Sequence, residues 1–570
     1  MSYFLKKTKR RNDVYLQIYE SYRNKDKRET SHKCFKSIGY VTELKKSGID
    51  NPIEYYQIEV DKLNEDRNEK IKSDKEKKIG EDPIKNIGYF IANNVMNALD
   101  VDADIGKILK IYKQPKNGNE ILKGLIYSRI INSQSKLKTY TDVLPRLYRC
   151  PSCNLDQIYD LINVIGREYE KVVEVFNHQY TKKYGTRKTE RCYFDCTNYY
   201  FEIDKPYEDK QRGPSKENRK DPIIGMGLLL DEEMIPMTFK MYPGNESEKK
   251  QIRENISEMK NRNNITGKTI QVADKGLNCG QNIIEALEEG DGYIFSQSIN
   301  TIKEDLKEMA IEEDGYKSIK YDKDGNIDFK IKEKIVERNV EYINEKGDKK
   351  SKKVKEKFVI YYSRALYQKK SIDILRKAEK AINENGKTTK KGKFRVIDKY
   401  TDLVVLDENG VATKTKITKM VNEKKIEDDL KYCGYNIIIS SEVNLDGNEI
   451  YNIYHKLWKI EETFRIMKTE LSARPVFHRN KESIYGHFLI CYLATFIIRI
   501  LELKIFNDRI NDLDIINFIR ETNCLIGQDC YTNITKSSNV VSTINNIVKG
   551  KYLNYYLPFS DLDKMCDFSF

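Results

Sequence analysis

RCYFDCTNYYFEI (residues 191–203) and PIIGMGLLLDEEMIPMTFKMYPG (residues 222–244) are rich in aromatic, β-branched and other apolar residues. Apolar runs of this length, bounded by polar turns, are typical of β-strands. The first stretch predicts two short strands around Asp195, and the second predicts a buried strand, a turn and another strand. Asp195 lies among aromatic residues, where a carboxylate is costly to bury without a partner.

The next segments alternate between helix and strand. EKKQIRENISEMK (248–260) predicts a helix, KTIQVADKG (268–276) a strand ending at Asp274, CGQNIIEALEEG (279–290) a helix and GYIFSQSI (292–299) a strand. The fold class is therefore α/β with a mixed sheet and flanking helices, in the element order of an RNase H-like domain. By analogy with that fold, the first and fourth strands lie side by side, and Asp195 and Asp274, both near strand ends, meet at one edge.

The rest of the chain divides around this centre. The patterns predict a small β-hairpin unit and a helical region that either binds DNA or supports the next domain. They also predict two parts of an α/β domain separated by a β-rich basic insertion, and a C-terminal tail region. In order, these are residues 1–45, 46–185, 186–300, 301–430, 431–510 and 511–570.

Composition and charge exclude several classes. The chain has 570 residues, 101 Lys+Arg against 88 Asp+Glu, and a mean hydropathy of -0.69, which excludes a polytopic membrane protein. The longest apolar run, Phe488–Ile498, is shorter than the roughly 20 residues of a transmembrane helix. No apolar segment follows the basic N-terminus, so we expect a cytoplasmic protein. Lysine clusters at Lys346–Lys357 and Lys387–Arg395 indicate either a polyanionic partner or solvated surface. No nucleotide-binding glycine motif is present.

One helical stretch, from about Glu449 to Lys504, carries the clearest pattern. Apolar residues recur at steps of three and four and predict one buried seam: Ile450, Ile453, Leu457, Ile460, Phe464, Met467 and Leu471. Tyr454, Glu461 and Lys468 are seven residues apart, which places them within about 20° of one helix face. Arg465 lies on that face too. Taken alone, Glu461 with Arg465 and Lys468 is equally typical of exposed helix ion pairs.

Asp195, Asp274 and Glu461 together suggest a metal site. Three carboxylates from two strand ends and a helix are the ligand set that holds two Mg²⁺ ions about 3.5–4 Å apart for phosphoryl transfer. In such a site, Arg465 and Lys468 suit phosphate oxygens.

At this point the sequence resembles a DDE-type bacterial insertion-sequence transposase, of the branch with a Tyr-x2-Arg-x3-Glu-x6-Lys motif. The matching residues are Tyr454, Glu461 and Lys468, with Leu457 in place of the motif's arginine. Further resemblance lies in four stretches, YFDCTNYYFE, SKENRKDPIIGMGLLLDEEMIPMTFKMYPGNESE, VADKGLNCGQNI and LSARPVFHRNKESIYGHFLICYLATF. It lies also in a β-rich insertion between the second Asp and the Glu. The resemblance implies that Asp195, Asp274 and Glu461 are the catalytic, metal-binding triad. It also implies that Tyr454 and Lys468 contact DNA near the cut end.

Leu457 and Trp458 leave two questions open. If the motif's arginine binds a terminal phosphate, His455, Lys456 or Arg465 must replace it, or end binding is weakened. Trp458, the only tryptophan, either stacks on an unstacked base or packs at the edge of the seam.

The function expected from the resemblance is cleavage at transposon ends followed by transfer of the 3′-hydroxyl into target DNA. The expected cofactor is two Mg²⁺ ions, with Mn²⁺ able to substitute. The expected partners are double-stranded terminal inverted repeats and target DNA, held by a homodimer in a synaptic complex. Two alternatives remain: a nuclease of the same fold without strand transfer, and a non-catalytic DNA-binding transposase remnant.

Overall fold

The structure is a computed structural model that describes residues 2–10, 13–23, 30–73, 82–216, 220–262, 265, 267–344, 346–383, 385–390, 399–404, 416–527 and 530–570. The chain divides into two compact units, Met1–Glu81 and Asp82–Phe570. Within the described ranges, no helix has both the length and the apolar character needed to cross a bilayer.

The first unit is a three-stranded antiparallel sheet with two helices. Its elements are β1 (Tyr3–Arg10), β2 (Asp13–Arg23), β3 (Thr30–Tyr40), α1 (Val41–Lys46) and α2 (Pro52–Ser73). Leu16 and Ile18 alternate with polar residues on β2 and are fully buried. The backbone of Tyr3 exchanges two hydrogen bonds, of 2.7 and 2.9 Å, with the Asn64 side chain on α2. Helix α2 is thus held on β1 and belongs to the same compact unit as the sheet.

The second unit begins with a short strand and a group of helices. These are β4 (Ile84–Asn86), α3 (Phe90–Leu99), α4 (Asp102–Ile111), α5 (Gly118–Ile131), α6 (Lys136–Lys138), α7 (Leu155–Arg167) and α8 (Tyr169–Tyr184). A π-helical turn (Thr139–Val143) and a 3₁₀ turn (Leu144–Arg146) follow α6. Asn154 and Gln157 form a reciprocal capping box at the start of α7, which fixes where this helix begins.

A nine-stranded mixed sheet forms the centre of the second unit, which confirms the predicted α/β class. Its strands, in chain order, are β5 (Arg191–Tyr200), β6 (Ile223–Leu230), β7 (Pro236–Pro243), β8 (Ile270–Ala273), β9 (Gly292–Gln297), β10 (Lys317–Tyr321), β11 (Ile327–Ile343), β12 (Lys349–Ser363) and β16 (Tyr435–Ser440). The order across the sheet is β10-β11-β12-β16-β9-β8-β5-β6-β7. β8 pairs in parallel with both β5 and β9, and the other neighbours are antiparallel. Helices α9 (Glu248–Arg262), α10 (Gly280–Glu288) and α11 (Glu304–Ile311) connect its strands.

The predicted insertion contributes to this sheet. Strands β10, β11 and β12 join it because β12 pairs with β16 from Lys357↔Ser440 to Tyr362↔Tyr435. The remaining elements are α12 (Arg364–Asn383), β13 (Thr388–Lys390), β14 (Thr401–Val404), β15 (Lys416–Val421) and α13 (Glu423–Lys431), with β13, β14 and β15 in a separate small sheet. Part of the predicted Lys387–Arg395 cluster lies outside the described residues.

The predicted long helical stretch is interrupted. It consists of α14 (Gly447–His455), α15 (Trp458–Arg465), a π-helical turn (Ile466–Glu470), α16 (Lys481–Ile500) and a second π-helical turn (Leu501–Ile505). The chain between Leu471 and Asn480 is not helical. All residues of α16 from Ser483 to Ile500 are buried, since this helix packs against α5, α7 and β7.

Helices α7 and α16 approach so closely that their backbones touch. A Cβ atom on Gly166 would lie 1.8 Å from the Glu482 carbonyl oxygen, and one on Gly486 would lie 2.1 Å from the Ile162 carbonyl oxygen. Only glycine, with no Cβ, permits this crossing.

The C-terminal segment returns to the start of the second unit. It contains α17 (Asp512–Glu521), β17 (Asn523–Ile526), β18 (Cys530–Asn533), α18 (Asn539–Val548), β19 (Tyr556–Pro558) and α19 (Phe559–Asp567). Strand β17 pairs with β4, and together they form a four-stranded sheet of order β19-β18-β17-β4. Residues more than 400 positions apart therefore share one sheet.

Candidate active site

Asp195 and Asp274 lie next to each other on the central sheet. The parallel register of β5 and β8 runs from Arg191↔Ile270 to Tyr193↔Val272, and two further steps along both strands reach Asp195 and Asp274. The Asp274 carboxylate raises the pKa of Asp195, as expected for two like charges in proximity. The prediction that these two strands are neighbours is confirmed.

The prediction of two short strands around Asp195 is wrong. Strand β5 is continuous, because β6 pairs with it from Tyr193 to Tyr200 and places Leu228 opposite Asp195. Asp195 is therefore in the interior of β5, and it adjoins a strand end only because β8 stops at Ala273. Side chains alternate along a strand, so Asp195 shares a sheet face with Tyr193 and Tyr199.

Burial dominates the electrostatics of Asp195 and raises its pKa to about 6. The Lys216 ammonium, 3.6 Å from Asp195 Oδ1, and the Cys196 N–H, which donates to the same oxygen at 2.7 Å, oppose this rise. The pKa of Asp195 is therefore lower than burial alone would make it, because one cation and one backbone donor favour the charged form of the carboxyl group.

Lys216 and Glu248 are site residues that the sequence pattern does not reveal. Lys216 lies in the connection between β5 and β6, donates to the Cys196 carbonyl oxygen and lies 3.8 Å from Glu248 at the start of α9. Both residues line a cleft of about 540 Å³ next to Asp195. Neither lies in an apolar run or a regular spacing, so periodicity does not identify them, although both lie within the family-like stretch of residues 215–248.

Tyr454 on α14 reaches the aspartate pair. Its hydroxyl donates a hydrogen bond to Asp274 Oδ1 at 3.3 Å, and burial together with the Asp274 charge raises its pKa above the ordinary range. Leu457, in the position of the motif's arginine, is buried in the seam. Of the residues considered as its substitute, His455 packs against the Tyr451 ring with centroids 4.0 Å apart, and Lys456 is exposed.

Glu461 is on α15, which packs against β5, but its side chain is exposed. In the described part of the chain it forms no hydrogen bond or ion pair. The helix is not continuous from Tyr454 to Glu461: bonds from Leu457 N–H to the Tyr454 carbonyl and from Ile460 N–H to the Leu457 carbonyl, both 3.0 Å, tighten the junction. Since such a 3₁₀ turn has about 3.0 residues rather than 3.6, the seven-residue spacing does not keep the two side chains aligned.

The apolar seam is confirmed, because all seven of its members are buried.

A buried ionic network also holds α15, linking it to the end of α16 and the π-helical turn that follows. Arg499 is fully buried and lies 2.9 Å from Glu462 while also pairing with Glu502. Lys459 bridges the same two carboxylates at 3.1 and 2.8 Å.

The other three predicted DNA-binding residues, Arg465, Lys468 and Trp458, each have different neighbours. Arg465 is paired with Asp512 at 2.7 Å, and the Lys468 ammonium lies 5.4 Å from the centroid of the Tyr199 ring. Trp458 is 53% exposed, with the Lys459 ammonium 4.6 Å from its ring centroid. The position of Trp458 argues against a packing role at the edge of the seam.

The expected three-carboxylate metal site is not complete. Carboxylate oxygens are the donors that Mg²⁺ prefers, and Asp195 and Asp274 offer them side by side. Among the residues that the structure describes, however, no three acidic, histidine or cysteine side chains lie close enough to hold one metal ion. Glu461 is therefore not gathered with the aspartates.

Part of the chain matches a known protein family. The family model described as Transposase DDE domain matches residues 201–497, just over half of the chain. The matched segment contains Asp274, Tyr454 and Glu461 and begins shortly after Asp195. The comparison with curated proteins finds no match.

Proposed function

The chain belongs to the transposase DDE domain family, and on that premise we propose that it cleaves DNA at the ends of an insertion sequence and joins the freed 3′-hydroxyl to target DNA. The observation that carries this proposal is the proximity of Asp195, on β5, to Asp274, which directly follows the neighbouring parallel strand β8, with the Tyr454 hydroxyl hydrogen-bonded to Asp274. Two acidic groups at one position on a sheet suit phosphoryl transfer, which depends on positioning and charge rather than on a covalent protein intermediate.

The catalytic fold in this proposal is RNase H-like. Its support is the arrangement of the five strands from β5 to β9: three consecutive antiparallel strands, then two parallel strands joined by α10, in the spatial order β9-β8-β5-β6-β7. Strands β10 to β12 and β16 extend this sheet on the side of β9.

The proposed cofactor is Mg²⁺, as two ions, with Mn²⁺ able to substitute. Asp195, Asp274 and Glu461 are the proposed ligands, and the first two support this role by their adjacency. Glu461 would have to join them from α15, which packs against β5, the strand that carries Asp195.

The proposed partners are double-stranded terminal repeats and target DNA, bound in the cytoplasm by two copies of the chain in a synaptic complex. Tyr454, Trp458, Arg465 and Lys468 are the proposed DNA contacts near the cut. Trp458 supports this best, because its exposed indole face is available for stacking on a base. Arg465 would have to exchange Asp512 for a phosphate.

The test is cleavage of a labelled duplex that carries the DNA ends flanking the chain's own gene, in the presence of Mg²⁺. We expect specific nicking at the end, lost in Asp195→Asn, Asp274→Asn and Glu461→Gln and retained in the control Glu427→Gln, whose carboxylate is exposed on α13. Near-normal cleavage by all three site variants would refute the assignment. Joined products separate a transposase from a nuclease that only hydrolyses.

A second candidate, a non-catalytic DNA-binding remnant, is favoured by two observations. Leu457 stands where the motif has arginine, and Glu461 is apart from the aspartates. Specific binding without cleavage, in Mg²⁺ and in Mn²⁺, would select this candidate.

A further inference from the structure

A second cleft, of about 490 Å³, lies between one end of the central sheet and the inserted helices. One wall comes from the central sheet and includes Lys275, the residue directly after Asp274, and Asn436 on β16. The opposite wall comes from the inserted helices α12 and α13 and includes Lys369 and Lys370. The cleft is thus assembled from the sheet that carries Asp274 and from the insertion.

The charges lining this cleft do not balance. Five lysines and two aspartates face it. Lys377 is paired with Asp373 at 2.6 Å, and Lys399 is paired with Asp429. Both acidic groups are therefore already neutralised.

Three lysines of the cleft remain without a carboxylate among the described residues: Lys275, Lys369 and Lys370. The Lys370 ammonium donates to the Tyr435 carbonyl oxygen at 3.4 Å, which leaves its charge uncompensated. Burial lowers the pKa of Lys370, and the nearby charge of Lys275 lowers it further. Cations gathered without counter-ions are the pattern of a site that an anion completes.

The position of the cleft indicates which anion. Lys275 adjoins Asp274, so a DNA strand cleaved at the aspartate pair has the cleft next to it. Lysine contacts a phosphate group as a point charge and does not distinguish bases, which suits sequence-independent binding of the DNA backbone. Resting on the proposed function, we propose that Lys275, Lys369 and Lys370 bind phosphodiester groups of the DNA strand that continues from the cut site.

The salt dependence of DNA binding tests this proposal. The full-length protein is titrated with the flanking-end duplex in EDTA, so that binding is measured without cleavage. Each phosphate contact that is lost reduces the slope of log K against log salt by about 0.9 on duplex DNA. We expect the variant Lys275→Gln/Lys369→Gln/Lys370→Gln to reduce the slope by about 2 to 3.

The control is Lys536→Gln/Lys549→Gln/Lys564→Gln, which removes the same charge from exposed positions in the C-terminal segment, outside the cleft and outside the Lys346–Lys357 cluster. An equal slope for the two triple variants would overturn the proposal while leaving the transposase function intact. Failure of the unmodified protein to bind the duplex would instead refute the proposed function, and the cleft proposal with it.

Lysine acetylation, read by mass spectrometry, distinguishes a DNA strand from a small anion. We expect the duplex to protect Lys275, Lys369 and Lys370 and inorganic phosphate alone to leave them reactive. Protection by inorganic phosphate without protection by the duplex would identify a free-phosphate site and overturn the proposal.

Discussion

Replacing Arg499 by leucine should weaken the attachment of α15, the helix that carries Glu461. Arg499 is fully buried and pairs with Glu462 and Glu502, and Lys459 bridges the same two carboxylates. Arg465, which is more exposed, lies 3.9 Å from Glu462 at the edge of this network. Without Arg499, Lys459 is the one cation that bridges both carboxylates, and part of their negative charge is left uncompensated next to the core.

The magnitude follows from the geometry. Removing one partner of a buried ion pair costs about 3–5 kcal/mol, because the remaining charge is desolvated without compensation. Because Lys459 still bridges both carboxylates in Arg499→Leu, we expect the free energy of unfolding to fall by about 3 kcal/mol, the lower end of this range. Arg499→Leu/Glu502→Leu restores a balanced Lys459–Glu462 pair and should cost less than the single change.

Tryptophan fluorescence provides a local assay, because the only tryptophan, Trp458, is the first residue of α15. Urea unfolding followed by Trp458 emission reports this helix, whereas far-ultraviolet circular dichroism reports the whole chain. In Arg499→Leu we expect the fluorescence midpoint to fall more than the dichroism midpoint, as for a local opening.

The control for Arg499→Leu is Lys353→Met, which breaks an exposed pair with Glu337 and should cost at most about 1 kcal/mol. The reasoning would be refuted if Arg499→Leu cost no more than this control, or if the double variant were less stable than Arg499→Leu.

Three further changes test other parts of the structure. Tyr454→Phe removes the hydroxyl that donates to Asp274 and should slow single-turnover nicking by about tenfold, or about 1.4 kcal/mol, while Tyr451→Phe leaves it unchanged. The pKa of His478 is lowered to about 4 by burial and by the Lys136 and Arg129 charges, so the unfolded chain binds more protons between about pH 6.5 and pH 4. Stability should therefore fall by up to about 1.4 kcal/mol per pH unit as the pH decreases through that window, and a urea titration of His478→Gln that keeps the same slope would contradict this. Gly166→Ala, which forces a Cβ against the Glu482 carbonyl, should lower the thermal midpoint strongly, whereas Gly106→Ala, with its nearest neighbour at 3.6 Å, should not.

Periodic features of the fold could be predicted from the sequence. The strands and helices from Ile223 to Gln297 and the buried seam from Ile450 to Leu471 follow from apolar spacing, which local propensity and burial both favour. The side-by-side arrangement of the two aspartate strands required analogy with a known fold, since one sequence does not specify strand order.

The features that the sequence could not predict depend on distant partners. β5 is one strand because β6 pairs with it from Tyr193 to Tyr200, and β10 to β12 join the main sheet because β12 pairs with β16. Lys216 and Glu248 approach Asp195 from two connections, and Asp512 pairs with Arg465 from beyond α16. Such contacts leave no local periodicity.

The return of the C-terminal segment to β4, and of α16 to α5 and α7, has a consequence for synthesis. Helices α5 and α7 are complete by Arg167, but their buried partner α16 begins at Lys481. At about 5–20 residues per second, a ribosome needs roughly 15 to 65 s to make the intervening chain. During that time the faces of these helices that contact α16 lack their native cover. A prematurely terminated chain would keep them exposed permanently, so truncated products should aggregate or be degraded rather than persist as stable fragments.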